Sequence, residues 1–442
     1  VIGAGISGLF VAHELLKQKF KVTILEKSSF VGGLSTSIEF EDCFCDIGPH
    51  FISLPENSNV SNIIESFLGS EKVELPHIHD SYLVFFNGVV QKFLPTLYQF
   101  IFKFGVSNFL KSFTSFLQFN FFKKTSLIFS SENYLKSNFG NHLFFNWFRP
   151  YLLHTYGTLD ISEKIITEKF PSITFKKFLK FIKKKNIKIS SNDDTTKSYY
   201  PKLGMQQIIS SIHDKILELN GNIILNANIS KIDHANTKMI KFQQNDTEKN
   251  LITKKIIYSI PPQISINWFK DSPIHFQKSN AFNTIIVFLI FDVDKLFDGW
   301  IINIYDPNLL FFRLSQPNFL SSDITPKGKS LLTVEIKCSS DDEIWKLDDE
   351  SLLSKIKVDL EKFPFQSNFI SSKIIRLPSV YPISSKTSST YRNELLKYIN
   401  SFENEYSIGT IPPDFGRFTT TESTENISFG GFNGAIQEAL SL

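Results

Sequence analysis

The segment VIGAGISGLFVAHELLKQKFKVTILEK, residues 1–27, decides how the rest of the chain is read. Val1 and Ile2 end an apolar strand. Gly3, Gly5 and Gly8 come next in G-x-G-x-x-G spacing, and the run LFVAHELLKQ behind them has helical periodicity. A second strand, KVTILE, ends on Glu26, 18 positions beyond Gly8. In a strand–turn–helix–strand unit of this kind one glycine makes the tight turn. Another lets the backbone touch a pyrophosphate, and the last allows the helix to pack on the strand. The helix start at Ile6 and Ser7 offers free N–H groups and a partial positive charge, which suit phosphate oxygens. Glu26 stands where a carboxylate accepts hydrogen bonds from a ribose. Strand, helix, second strand and acid all fall in place, so the unit reads as dinucleotide-binding.

The residues after Glu26 narrow the dinucleotide. The stretch EKSSFVGGLSTS carries Lys27, then Gly32-Gly33 with Leu34 and Ser35 behind them. A nicotinamide-binding unit usually has no second glycine pair at this point. Adjacent glycines let backbone amides approach a bulky cofactor, with Ser35 or Thr36 available to its oxygens. The next segment, FCDIGPHFIS, ends a short strand in a Gly-Pro-His turn that sets His50 near the same place.

GAGISG, LEKSSFVGGLSTS and DIGPHF together resemble the FAD-dependent amine-oxidase-like superfamily. That group includes protoporphyrinogen oxidases, phytoene desaturases, monoamine oxidases and UDP-galactopyranose mutases. GGL in place of the GGR of many amine oxidases is more similar to the protoporphyrinogen-oxidase-like and mutase-like branches. The resemblance implies FAD as cofactor and an α/β fold. A discontinuous Rossmann-like FAD-binding domain would comprise residues 1–55, 199–265 and 395–442. A mixed α+β substrate domain, residues 56–198 and 266–394, would be inserted in it. It further implies that Ile229, in YYPKLGMQQIISSIHDKILELNGNIILNANISKIDH, lies on the strand whose backbone meets the adenine. Glu425, Asn426 and Ile427 match the start of the family's last helix, which points at the flavin pyrimidine. The family's compact C-terminal pattern is stretched here, with Gly409 and Gly416-Arg417 apart.

The remaining sequence is read from residue patterns. In the helix after Met205, Ile208, Ile209, Ile212, Ile216 and Leu217 are expected on one face, with Asn220-Gly221 as the stop. TIIVFLIFDV, residues 284–293, reads as a buried strand, and residues 56–198 as mostly helical. The 442 residues are enough for two or three domains, and 47 basic against 44 acidic residues give no argument for nucleic acid. Three cysteines make neither a disulfide framework nor zinc-ligand spacing. No metal is assigned, since His77 and His79 lack further ligands. The composition fits a cytoplasmic chain. The basic amphipathic run at 175–189 and the Phe-rich stretch at 96–122 raise peripheral membrane contact as a second reading. The first residue is not Met and falls inside an apolar run, so residues preceding Val1 are expected.

Arginine is scarce, with five against an abundance of lysine. A retained arginine suggests planar, bidentate pairing with carboxylate or phosphate. By the resemblance, Arg149 in FNWFRPYLLHTYG and Arg313 in FFRLSQPNF are substrate-binding, together with His50, Tyr156 and Tyr381; no catalytic residue is assigned. The activity implied is oxidation or desaturation of a bulky cyclic or lipid-linked small molecule, with the electron acceptor open. The alternatives are a UDP-galactopyranose-mutase-like isomerase of a nucleotide sugar and a non-catalytic FAD-binding protein.

Overall fold

Ile2 bridges in parallel to Leu25 on one side and to Tyr258 on the other. Around it a parallel sheet is assembled from distant parts of the chain. Thr23–Leu25 pairs with Asn222–Ile224, and Ile256–Tyr258 with Glu405–Ser407. The order is therefore 222–224, 23–25, Ile2, 256–258, 405–407. The chain runs outward from Ile2 in one direction and returns on its other side, which opens a crevice at the strand's carboxyl end. The computed structural model describes residues 1–408 apart from 56–58, 77, 87, 93–104, 122–129, 162, 164–165, 168–169, 171–195, 270–280, 367 and 383–385.

Helices Ile6–Lys17 and Gln206–Glu218 cover one face of the sheet, burying Leu9, Phe10, Ile208, Ile209, Ile212 and Ile216 in one core. Leu217 differs from its expected place: it is 48% exposed. On a 3.6-residue turn, positions 208, 209, 212 and 216 share a stripe, and position 217 falls about 100° round from 216. The other face is covered by the antiparallel strands Asn228–Asp233, Lys238–Gln244 and Thr247–Thr253, and by Leu395 and Ile399 of the helix Lys386–Ile399.

A second sheet has seven strands: Ser371–Pro382, Ala281–Phe291, Ser330–Cys338, Arg313–Ser315, Ile301–Ile304, Tyr82–Phe86 and Val89–Lys92. The apolar run expected as a buried strand is its second member. Ile285, Val287, Leu289 and Phe291 pack with Leu352, Ile356 and Leu360 of the helix Asp349–Leu360. Ile286, Phe288 and Ile290 point the other way, to Cys43, Cys45, Phe51 and Trp300. Covering on both faces explains why the run does not alternate. The described part of 56–198 is mostly helical, as expected, but Lys72–Glu74, Tyr82–Phe86 and Val89–Lys92 are strands that the reading did not include. YLVFF and VVQK form an antiparallel pair, with Gly88 at a φ of 76° in the turn.

Asp46 joins the pieces. Its carboxylate accepts from Ser37 Oγ at 2.5 Å, Tyr200 OH at 2.6 Å and the Met205 amide at 2.9 Å. Ser37 Oγ also accepts from the Gln206 amide at 2.9 Å, so the helix Gln206–Glu218 starts on groups from residues 37 and 46. Gly204 has a φ of +82°, and a Cβ there would lie 2.8 Å from Asp46 Oδ1. Complete burial raises the Asp46 carboxyl to about 6, against hydrogen bonds that pull it down. Between the ordinary value of 3.8 and about 6, the folded chain keeps a proton that the unfolded chain releases. This group's contribution to stability is therefore lost as pH rises through that window. Asp46→Asn removes the effect. Urea midpoints measured near pH 4 and pH 7 should show the variant gaining on the native chain with rising pH, by up to about 3 kcal/mol. A difference independent of pH contradicts this assignment.

Candidate cofactor and substrate site

The three glycines of the first loop meet different surroundings. Gly3 turns at a φ of +97°, and a Cβ on it would lie 2.7 Å from Ile260 Cγ2 and 2.9 Å from Ser259 Oγ. At Gly8 a Cβ would come within 2.0 Å of the Gly3 carbonyl oxygen. Gly5 is the opposite case: among the described residues, no heavy atom lies within 4 Å of where its Cβ would be. It precedes the helix Ile6–Lys17, whose N-cap has no side-chain hydrogen bond and whose first turn has no acidic residue. Ile6 and Ser7, the first helical residues, are half-buried. Uncompensated N–H groups beside open space make an anion cradle.

The second glycine pair closes on the first loop. The Gly32 amide donates to the Ala4 carbonyl at 2.8 Å, and Gly5 and Gly32 form a parallel bridge. Gly32 and Gly33 take φ values of +112° and +59°, and a Cβ on Gly33 would sit 3.3 Å from Gly5 Cα. Leu34 and Ser35 continue into a short turn of helix, Gly33–Ser35. Glu26 fixes the loop from below: its Oε2 accepts from the Ala4 amide at 2.7 Å and its Oε1 from the Ser28 amide at 2.8 Å. Each carboxylate oxygen keeps a second lone pair for a hydroxyl. Lys27 is exposed.

Ala227 and Asn226 donate to the carbonyls of Glu26 and Ser28 at 2.8 and 3.0 Å. That contact brings Ile229, half-buried at the start of Asn228–Asp233, beside the Glu26 turn. Glu425, Asn426 and Ile427 lie outside the described residues. Ser259 carries no signal of its own in the sequence beyond its place at the end of a strand. Its Oγ lies 3.0 Å from the Ile2 carbonyl and 2.9 Å from that of Gly3, holding the turn to the neighbouring strand.

The residues expected at the substrate separate. His50 and Arg313 come together: Arg313 Nε and Nη2 donate to Glu335 at 2.5 Å each, and Gly48 lies between Glu335 and the His50 ring. Burial, with the positive charge of Arg313, lowers His50 to about 4, so the ring is neutral at neutral pH. Its Nδ1 is buried with no hydrogen-bond partner among the described residues. Arg149 is exposed at the start of the helix Arg149–Tyr156. Tyr156 is buried in an aromatic core with Tyr151 and Tyr305. Tyr381 pairs with Phe282 across two strands of the large sheet.

A cleft of about 310 Å³ opens between that helix and the large sheet, lined by Leu153, His154, Gly157, Phe282, Leu310, Phe312 and Lys337. Lys337 stands two residues from Glu335 on one strand, so both side chains leave the same face of the sheet. Glu335 and Lys337 escaped the sequence reading, because each is a single charge in an apolar strand.

A family model described as flavin containing amine oxidoreductase matches residues 6–441. The chain belongs to that family. FAD is its cofactor, and the open cradle at Gly5, the second glycine pair and Glu26 fit it. The chain is 38% identical over 88 residues to a phytoene desaturase of Fusarium fujikuroi, a match covering 20% of this chain and only 15% of that protein. Among solved structures, a reduced UDP-galactopyranose mutase aligns with a TM-score of 0.77 at 16% identity, over 92% of this chain and 88% of the other. A putative protoporphyrinogen oxidase from Exiguobacterium sp. 255-15 aligns with a TM-score of 0.72 at 15% identity, over 100% and 96%. These likenesses concern the fold. Among the described residues no helix is long and apolar enough to cross a membrane.

Two substitutions separate the cradle from the scaffold. Gly5→Ala, at a φ of −65° with room for the methyl, should leave the urea midpoint within about 0.5 kcal/mol of native while cutting FAD retained after desalting at least roughly tenfold. Gly8→Ala should cost about 1–3 kcal/mol of stability by overpacking. Equal FAD content in native protein and Gly5→Ala contradicts the cradle. A third substitution tests the buried pair: Arg313→Ala leaves Glu335 uncompensated and should cost about 3–5 kcal/mol, less when Glu335 is made Leu in the same chain. A fully stable Arg313→Ala protein overturns that reading.

Proposed function

We propose that the protein is an FAD-dependent oxidoreductase that oxidises or desaturates a bulky, largely apolar small molecule held against the large sheet. The observation that carries this reading is the wall of the cleft, in which Leu153, Phe282, Leu310 and Phe312 outnumber the polar groups. Bound FAD supplies a ring that accepts two electrons and a hydride, and the protein's task is to position the substrate and exclude water. Gly3, Gly5 and Gly8 hold the diphosphate at the helix start, Glu26 takes the ribose, and Gly32-Gly33 admit the cofactor's bulk.

On the substrate side, Arg313 and Glu335 neutralise one another in a buried, bidentate pair. That pairing leaves Arg313 poorly suited to a nucleotide diphosphate, which speaks for an apolar substrate over a nucleotide sugar. His50 stays neutral, so its unpartnered ring nitrogen can orient a polar group of the substrate without bringing a charge to an apolar cleft. The desaturase similarity over 88 residues points the same way.

The test is anaerobic. A porphyrinogen, bulky, largely apolar and carrying carboxylates, presented in detergent micelles to the FAD-loaded protein, should bleach the visible flavin band, and an added quinone or oxygen should restore it. Turnover of UDP-galactopyranose without any acceptor, and only after dithionite reduction, would overturn the oxidoreductase reading in favour of an isomerase.

A further inference from the structure

Among the described residues, Lys337 is the one lysine or arginine lining the cleft. Its Nζ donates to the His154 carbonyl at 2.7 Å and stands 4.6 Å from the centre of the Phe282 ring. Gly157 makes the close fit possible, since a Cβ there would lie 2.5 Å from Phe282 Cζ. Burial lowers the ammonium to about 8, which still leaves it mostly protonated at neutral pH, and no carboxylate of the described residues opposes the shift. An ammonium has three N–H donors, and the carbonyl uses one.

Thr284 is the cross-strand partner of Lys337, so the two side chains stand side by side on one face of the sheet. The threonine is 1% exposed, and its hydroxyl has no partner among the described residues. A buried donor left unmade carries a desolvation cost that a ligand oxygen would recover. A desolvated cation at the edge of an apolar cleft, with a buried orphan hydroxyl behind it on the same face of the sheet, is complementary to a small anion on an apolar body. The described cleft offers one positive charge. A carboxylate, with a single charge and two oxygens, matches it better than a phosphate, which carries nearly two charges and favours guanidinium forks.

We propose that the substrate is an apolar molecule ending in a carboxylate, with Lys337 pairing with one oxygen and Thr284 donating to the other. This assignment rests on the reading that the substrate lies in the cleft against the large sheet. Laurate, dodecanol and dodecyl phosphate share one chain and differ in the head group. Titrated calorimetrically into the FAD-loaded protein, laurate should bind at least roughly tenfold more tightly than dodecanol. Lys337→Met should weaken laurate by roughly ten- to a hundredfold and leave dodecanol unchanged, while Lys337→Arg retains most of the preference. Thr284→Val should cost laurate a smaller factor. Dodecanol bound as tightly as laurate by the native protein overturns the carboxylate site alone, as does tighter binding of dodecyl phosphate. Failure of all three to bind overturns both this inference and the apolar-cleft reading beneath it.

Discussion

The constraint on which the N-terminal part of the fold depends is the contact between two glycine loops. Gly32 and Gly33 reach Ala4 and Gly5 so closely that a side chain on Gly33 would stand 3.3 Å from Gly5 Cα. Three of the four glycines in or beside this clasp, Gly3, Gly32 and Gly33, have positive φ. The fourth, Gly5, has an ordinary backbone angle and empty space in front of it. Backbone angle accounts for the three; the fourth leaves room where the proposed cofactor would lie. The clasp also ties the turn after Glu26 to the first strand, so the proposed cofactor contacts and the start of the fold use the same atoms.

Polar groups buried at two other places hold the distant segments in register. Asp46 gathers Ser37, Tyr200 and Met205, joining the N-terminal segment to the helix Gln206–Glu218. Glu405 gathers His234, Lys238 and Tyr258, joining the last strand of the parallel sheet to its covering layer. Both are carboxylates withdrawn from water and supplied with several donors, the arrangement that makes a buried acid tolerable. Arg313 and Glu335 do the same between neighbouring strands of the large sheet. The charges of Arg313 and Glu335 are thus spent on each other, whereas Lys337 meets only a backbone carbonyl and an aromatic ring.

The glycine loops were legible because their chemistry is local: turn, strand and acid fall within 33 residues. So was the strand Ala281–Phe291, where burial on both faces writes an unbroken apolar run. Sheet order was not legible in residue patterns, since Thr23–Leu25 pairs with a strand about 200 residues away and pairing at that range leaves no local mark. The strand pair Tyr82–Phe86 and Val89–Lys92 was overlooked although Asn87-Gly88 stands between two apolar runs, because its Phe-rich surroundings read as helix. Arginine scarcity suggested bidentate pairing with a carboxylate or phosphate, and Arg313 was read as binding substrate; the pairing found is within the chain. The partner is Glu335 of the same chain, which no spacing rule could name. Lys337 was hidden among many lysines, and only burial and register distinguish it.

FAD should touch the backbone at the two glycine loops and at the Glu26 turn between them. Amide hydrogen exchange, read by mass spectrometry with and without added FAD, measures this without relying on turnover. Protection should rise in peptides covering residues 3–8, 26–28 and 32–36, and change little in the strand Ala281–Phe291, which is already buried. Tight FAD binding with no added protection in residues 3–8 and 32–36 would contradict that placement.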